Sequence, residues 1–328
     1  MSPPVHLLLH FRFPASVLPY NFTFGELCGN RIIISYDGKK AEHNWRITMG
    51  MKQFIVHMIP SFVQKRLRLQ KELRQLSSLQ RAKCKPDNLR HKRNLSLSDI
   101  LNSREIDCMW FESDNEIKQF NIPDGTGGVN PGDRRSIYYL ISAIKPTSVL
   151  EIGTHIGAST IHIAYAINKH TDKNAKVTTV DIVDVNSHAE KPWLKHGTTY
   201  SPIEMVDKLG CKSLVEFITD TSLNFAANCQ RTFDFIFLDG DHSAATVYQE
   251  VPVALNMLKQ NGVILLHDYF PNMKPLWTDG SVIPGPYLAI ERLRREGLNV
   301  TVLPLGKLPW PTKLQSNVTS LALLLRND

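Results

Sequence analysis

The sequence of 328 residues has little of what would place it in a specialised class. Its cysteines, Cys28, Cys84, Cys108, Cys211 and Cys229, are five in number and include no Cys-x-x-Cys pair. This excludes a regular disulfide framework and a thiolate zinc site, and suits a reducing, cytoplasmic setting. No apolar run reaches the eighteen or so residues that a membrane span requires. The apolar stretch 5–9 has no positive start and no small-residue cleavage site, so it does not read as a secretory signal. Without one, the Asn-x-Ser/Thr matches at Asn21, Asn94, Asn299 and Asn317 read as chance. Apolar residues make up 42% and charged residues 21%, which excludes a collagen-like or wholly disordered chain.

What is present in excess is positive charge, +7 from 38 Lys and Arg against 31 Asp and Glu. It is concentrated. Residues 52–93 hold twelve basic residues against Glu72 and Asp87, a net of +10 that leaves −3 for the rest of the chain. Such a segment can dock on an acidic membrane or an acidic partner, or it can be a solvated helical face. Within it, Phe62, Val63, Leu67, Leu69, Leu73 and Leu76 predict a helix over 61–79, followed by a breaker-rich linker over 80–96. Residues 1–50 mix short apolar patches with Pro, Gly and Asn and predict an irregular N-terminal extension. Met51-Lys-Gln-Phe-Ile-Val opens a fresh pattern, which leaves open whether 1–50 belongs to the native chain. Three segments are therefore expected: 1–50, a basic helix and linker over 51–110, and a folded domain over 111–328.

From residue 146 short apolar runs alternate with helical patterns. Strands are predicted at 148–152, 176–180, 214–218, 233–238, 263–266, 300–303 and 320–325, with helices between them. Strands apolar throughout and separated by helices imply an α/β fold, a Rossmann-like doubly wound, mostly parallel seven-stranded sheet. The helical and irregular N-terminal extension precedes it.

The most informative segment is Glu151-Ile152-Gly153-Thr154-His155-Ile156-Gly157-Ala158-Ser159. A strand ends in a glycine turn that opens a helix, whose free N–H groups and bare backbone let a ligand approach closely. Two acids follow at the ends of the next strands. Asp181 closes the second, where a carboxylate accepts from ribose hydroxyls, and Asp220 closes the third, where it can meet an adenine amino group. The dinucleotide fingerprint is Gly-x-Gly-x-x-Gly; here the glycines are spaced Gly-x-x-x-Gly, with Glu151 two residues ahead of the first. An acid there repels a pyrophosphate but suits a cationic amino-acid moiety.

On these residues, and on Leu238-Asp239-Gly-Asp-His242-Ser243 and Gly262-Val-Ile-Leu-Leu-His267-Asp268, the chain resembles a class I S-adenosylmethionine-dependent methyltransferase. The resemblance is to the branch with macrocin-type O-methyltransferases and cephalosporin-hydroxylase-like proteins, and covers roughly 125–328. It implies S-adenosyl-L-methionine as cofactor, held by Glu151, Gly153, Thr154, Gly157, Ser159, Asp181 and Asp220. It also implies a small hydroxylated acceptor such as a sugar or secondary metabolite. Ala244 stands where the branch has Tyr, and Gln260-Asn261-Gly262 replaces Pro-Gly-Gly. At adjacent strand ends, Asp239 and Asp268 can chelate Mg²⁺ or another divalent cation; the alternative is that they cap helices. In catechol-type enzymes an Asn completes this set, where this chain has Tyr269. A base is expected at His242 or His267, with His242 first, and Asp239 is expected to be catalytic through metal or substrate binding. The 125–133 loop, rich in glycine, is expected to fold over the cofactor or to serve as a plain connector.

Other classes of function fit less well. The loop spacing disfavours a nicotinamide enzyme. A nucleic-acid target would use the basic segment, yet the fourth strand lacks Asn/Asp-Pro-Pro-Tyr/Phe and there is no Pro-Cys pair. Methylation of a nucleic acid or protein recruited through 52–93, or cofactor binding without catalysis, stays as the alternative. A homo-oligomer is compatible with the sequence.

Overall fold

The computed structural model describes residues 65–82, 96–125, 128–170 and 174–326 in full, together with the backbone of 9–10, 22–28, 31–36, 39–43 and 61–64. The chain divides into two units, Met1–Arg68 and Leu69–Asp328. The break lies inside helix α1 (Ser61–Ser78) rather than at 50/51 or 110/111.

The first unit corrects the irregular reading of 1–50. Strands β1 (Leu9–His10), β2 (Phe22–Cys28), β3 (Arg31–Tyr36) and β4 (Lys39–His43) form an antiparallel sheet in chain order. The gaps between β2, β3 and β4 hold Gly29-Asn30 and Asp37-Gly38. Residues read as breakers are those that tight hairpin connections favour.

In the second unit α1 is followed by α2 (Leu97–Leu101), α3 (Arg104–Ile117) and α4 (Pro131–Ile144). The alternating part then runs β5 (Ser148–Ile152), α5 (Ala158–His170), β6 (Lys176–Asp181), α6 (Pro202–Lys208), β7 (Val215–Thr219), α7 (Ser222–Asn228) and β8 (Phe233–Leu238). It ends with α8 (Ala244–Met257), β9 (Leu258–Leu266), α9 (Gly285–Arg295), β10 (Val300–Pro304) and β11 (Ala322–Arg326). The seven-stranded sheet has the order β10-β11-β9-β8-β5-β6-β7. All neighbours pair in parallel except at β11, which is antiparallel to both β9 and β10. This is the expected Rossmann-like, doubly wound architecture.

Both faces of the sheet are covered, which is why its strands read as continuous apolar runs. Because side chains alternate along a strand, Val149, Phe235, Phe237, Val263 and Leu323 pack with α3, α4, α5 and α6. Leu150, Ile236, Ile264 and Leu324 pack on the other side with α8, α9 and Leu76 of α1. The expected boundary at 110 would cut α3. Its apolar residues recur at helical spacing, Ile106, Trp110 and Ile117 being buried, and its N-cap Ser103 accepts from the Ile106 N–H. Trp110 stacks on His162 and meets Tyr138 edge-on, with ring centroids 5.7 and 5.2 Å away. No helix among the described residues is long and apolar enough to cross a membrane.

If α3 belongs to the second unit's core, Trp110→Ala will cost about 3–5 kcal/mol of stability. Chemical denaturation followed by circular dichroism checks this; a loss below about 1 kcal/mol would mean that the helix is an appendage.

Candidate active site

The carboxyl ends of β5, β6, β7 and β8 open into a cavity of about 630 Å³, within the range of small-molecule pockets. The strand ends are zipped by backbone bonds that continue the sheet. Gly153 N–H donates to the Val180 carbonyl (2.8 Å), Asp239 N–H to Ile152 (2.9 Å), Asp220 N–H to Asp181 (2.9 Å) and His267 N–H to Leu238 (3.1 Å). Residues that end neighbouring strands are thereby held one ladder spacing apart.

Seven of the expected residues line this cavity: Gly153, Thr154, Ser159, Asp181, Asp220, Asp239 and His242. Gly153 has φ +98, and a Cβ there would collide with the Asp239 carbonyl. Gly157 has φ +76 and closes against Pro202 of α6, which brings α6 under the start of α5. Each oxygen of Asp181 accepts one backbone N–H, from His155 (2.8 Å) and Val183 (3.0 Å). This fixes the carboxylate and leaves lone pairs for a ligand's hydroxyls. Asp220 is more engaged, accepting from Thr221 N–H (2.7 Å) and with both oxygens from Asn224 Nδ2 (2.8 Å).

Glu151 is placed otherwise than expected. It is fully buried behind the glycine loop and is not among the cavity-lining residues. Its Oε2 accepts from the hydroxyls of Thr160 and Thr179, both at 2.6 Å, tying α5 to β6. Its Oε1 has no hydrogen-bond partner. Burial pushes its pKa up to about 7, against hydrogen bonds from Ser159, Thr160 and Thr179 that lower it. A ligand's ammonium would meet Ser159, which lines the cavity, before it met Glu151.

At the other rim, Asp239, His242, His267 and Asp268 converge. His242 Nε2 lies 3.7 Å from Asp239 Oδ1 and 3.6 Å from Asp268 Oδ2. His267 Nδ1 lies 2.8 Å from Asp239 Oδ1 and 3.8 Å from Asp268 Oδ2, off hydrogen-bond alignment. Its Nε2 is 3.3 Å from Oδ2 of Asp133, a fully buried carboxylate that also accepts from Asn130 Nδ2. Burial alone would keep His267 neutral, but Asp239 and Asp268 outweigh it and hold the imidazole well above its usual pKa. The carboxylates thus favour the protonated ring of His267, and the base expected at this rim falls to His242.

Ligand atoms of Asp239, His242 and His267 lie within 4.8 Å of one another. By distance the cluster adds His242 and His267 to the expected pair Asp239 and Asp268, but a ring held protonated offers no lone pair, so the carboxylates remain the cation-binding set. Sequence reading missed Asp133, which follows the N-cap Asn130 of α4, and His155, which lines the cavity against His196 at 4.3 Å. It also missed Glu250, a cavity-lining acid whose pKa burial raises to about 7. A charged residue inside an apolar helix was the available signal. In the 125–133 loop, Gly128 and Val129 line the cavity and α4 starts at Pro131; Thr126 and Gly127 lie outside the described residues.

The fold is Rossmann-like, and within it residues 150–269 match the family model of a methyltransferase domain. Two curated relatives, probable caffeoyl-CoA O-methyltransferases 1 and 2 of Dictyostelium discoideum, are 27% and 26% identical over 128 residues. These matches cover 39% of this chain, and the chain spans about half the length of these relatives, 50% and 49%. Among solved structures, the O-methyltransferase TomG from Streptomyces achromogenes, in complex with S-adenosylmethionine, has a TM-score of 0.46 at 17% identity, over 70% of this chain and 93% of that one. An O-methyltransferase from Bacillus cereus in complex with S-adenosylhomocysteine has a TM-score of 0.43 at 19% identity, with the same coverage.

The Glu151 carboxyl makes stability depend on pH. Its folded pKa of about 7 exceeds the 4.5 usual for a glutamate carboxyl, so folding favours the neutral form. That contribution is whole below pH 4.5 and is lost as pH rises through about 7, amounting to about 3 kcal/mol. Glu151→Gln should therefore stay closer to its acid-side stability between pH 5 and 8 than the wild type does. Parallel denaturation curves that keep a constant separation over this range would refute the shift.

Proposed function

We propose that this chain transfers a methyl group from S-adenosylmethionine to a hydroxyl oxygen of a small molecule. The observation that carries this reading is the placement of Asp181, two N–H bonds fixing it at the strand end beside the glycine loop, with the Asp239–His242 rim on the loop's other side. The donor chemistry fits the cofactor: Asp181 takes the ribose hydroxyls, Asp220 faces the base, and the 153–159 turn with Ser159 takes the amino-acid end. When bound, the cofactor supplies an electrophilic methyl on a sulfonium.

The chain's own part is orientation and proton removal. His242, flanked by two carboxylates, accepts the hydroxyl proton as the oxygen attacks, and Asp239 and Asp268 stabilise the resulting imidazolium. His267 meanwhile is occupied by Asp133 and Asp239. Asp239 and Asp268 would hold a divalent cation that orients the acceptor oxygen, leaving the His242 imidazole to take the proton; a carboxylate set completed by waters and substrate oxygens suits Mg²⁺ or Mn²⁺. Screening hydroxylated metabolites with methyl-labelled cofactor, with and without EDTA, tests the reading. Product that forms only with nucleic acid or protein acceptors would favour the alternative targets.

Asp181→Ala should weaken binding of S-adenosylhomocysteine by about a hundredfold or more, read by titration calorimetry, because two hydroxyl bonds to a charged acceptor are lost. Wild-type affinity in this variant would remove Asp181 from the cofactor site. Asp239→Asn should lower turnover by about a thousandfold while leaving cofactor affinity within about threefold, since it weakens the proton acceptor and any cation together. An unchanged rate would place the chemistry elsewhere.

A further inference from the structure

We propose that Glu72 is a positioning residue for the active site: its carboxylate, carried by α1, fixes the 239–243 loop and with it the His242 imidazole. This rests on the reading of His242 as the proton acceptor. Glu72 lies in the most basic stretch of the sequence, yet it is buried, and its Oε2 accepts the Ala244 N–H at 2.7 Å. Ala244 is the first residue of α8, two beyond His242. A helix leaves its first N–H groups without internal acceptors. At this end the Ser243 N–H goes to Asp241 Oδ1 (3.0 Å) and the Thr246 N–H to Ser243 Oγ (3.3 Å). The Ala244 N–H is met by a residue 172 positions away. A carboxylate there also complements the helix dipole.

The loop is held from a second direction. A Cβ on Gly285, where α9 begins, would collide with the His242 carbonyl, so α9 packs against the backbone of His242 and Ala244 with no space between. The segment that carries Glu72 is itself clamped. Leu76 is buried, Arg292 donates to the carbonyls of Leu76 and Leu79, and the Ala82 N–H donates to the Tyr248 hydroxyl at 2.7 Å. These anchors sit on α8 and α9, the two helices that border the loop. Glu72 therefore meets a rigid partner, and a group held this way keeps its bearing to within the tolerance that catalysis needs. The residues matched by the methyltransferase-domain model, 150–269, include neither α1 nor α9.

The test uses the full chain, labelled with ¹³C at histidine Cε1, and the variants Glu72→Ala, Glu72→Gln and Glu72→Asp. The His242 signal is assigned through His242→Gln. In Glu72→Ala the His242 signal should shift and broaden while that of His162, buried and stacked on Trp110 in the core on the other side of the sheet, stays in place. Methyl transfer should fall about tenfold to a hundredfold in kcat, with the KM for S-adenosylmethionine unchanged within about twofold. Glu72→Gln keeps an oxygen that accepts the same N–H and should restore both. Glu72→Asp keeps the charge but withdraws its oxygens, and reads the same way as alanine if the alanine variant does not fold. An unmoved His242 signal in the alanine or aspartate variant, or a glutamine variant as impaired as alanine, overturns the proposal. Failure of the wild type to bind S-adenosylhomocysteine would instead overturn the methyl-transfer reading, and the His242 signal would still decide the role of Glu72.

Discussion

The meeting of β5 and β8 at their carboxyl ends governs the site. Gly153 turns away from β5 with its Cα against the Asp239 carbonyl, at a φ of +98 that a side chain would strain. The Asp239 N–H returns to Ile152. The turn that opens α5 and the turn that leads to α8 are thus one packed unit, and neither can shift alone. Asp181 on one side and the Asp239–His242 rim on the other inherit their separation from this contact. A cofactor held by the first and an acceptor held by the second are placed by the backbone before any side chain adjusts.

Around that contact the protein gathers acids where water is excluded, and each is stabilised differently. Glu151, fully buried, accepts two hydroxyl bonds and is near half-protonated at neutral pH. Asp133, equally buried, faces the His267 ring and the Asn130 amide. Asp239 and Asp268 share the same His267 ring and stand near His242. An unpaired buried charge costs several kcal/mol, and the three carboxylates of this small rim all face the His267 ring, whose proton they favour. The candidate proton acceptor, His242, is then left as the partly exposed histidine of the pair.

Much of this was legible in the sequence, for identifiable reasons. Strands buried on both faces read as apolar runs, and the acids stood at their ends, so the sheet, the loop and the strand-end positions of Asp181, Asp220 and Asp239 were legible. Glu151 was misplaced because its neighbours in sequence say nothing of its direction: it points behind the loop toward Thr160 and Thr179. His267 looked like a base because Asp133, which helps hold it charged, is 134 residues away. The sheet of the first unit was hidden because the Gly and Asn residues between its short strands read as breakers when the strands' partners are not known. Helix α3 went unread although Ser103, Ile106 and Trp110 mark its cap and buried face.

The order of the sheet also bears on how the chain is made. β11 is the last strand of the sequence, yet it lies between β9 and β10 and pairs with both. Until it emerges during synthesis, Ile264, Leu265 and Leu266 present an apolar, unpaired strand edge, the kind of surface through which nascent chains associate. The strand that bears His267 and Asp268 at its end is therefore among the last to be sheltered, and premature termination before β11 would leave the rim standing on an open edge.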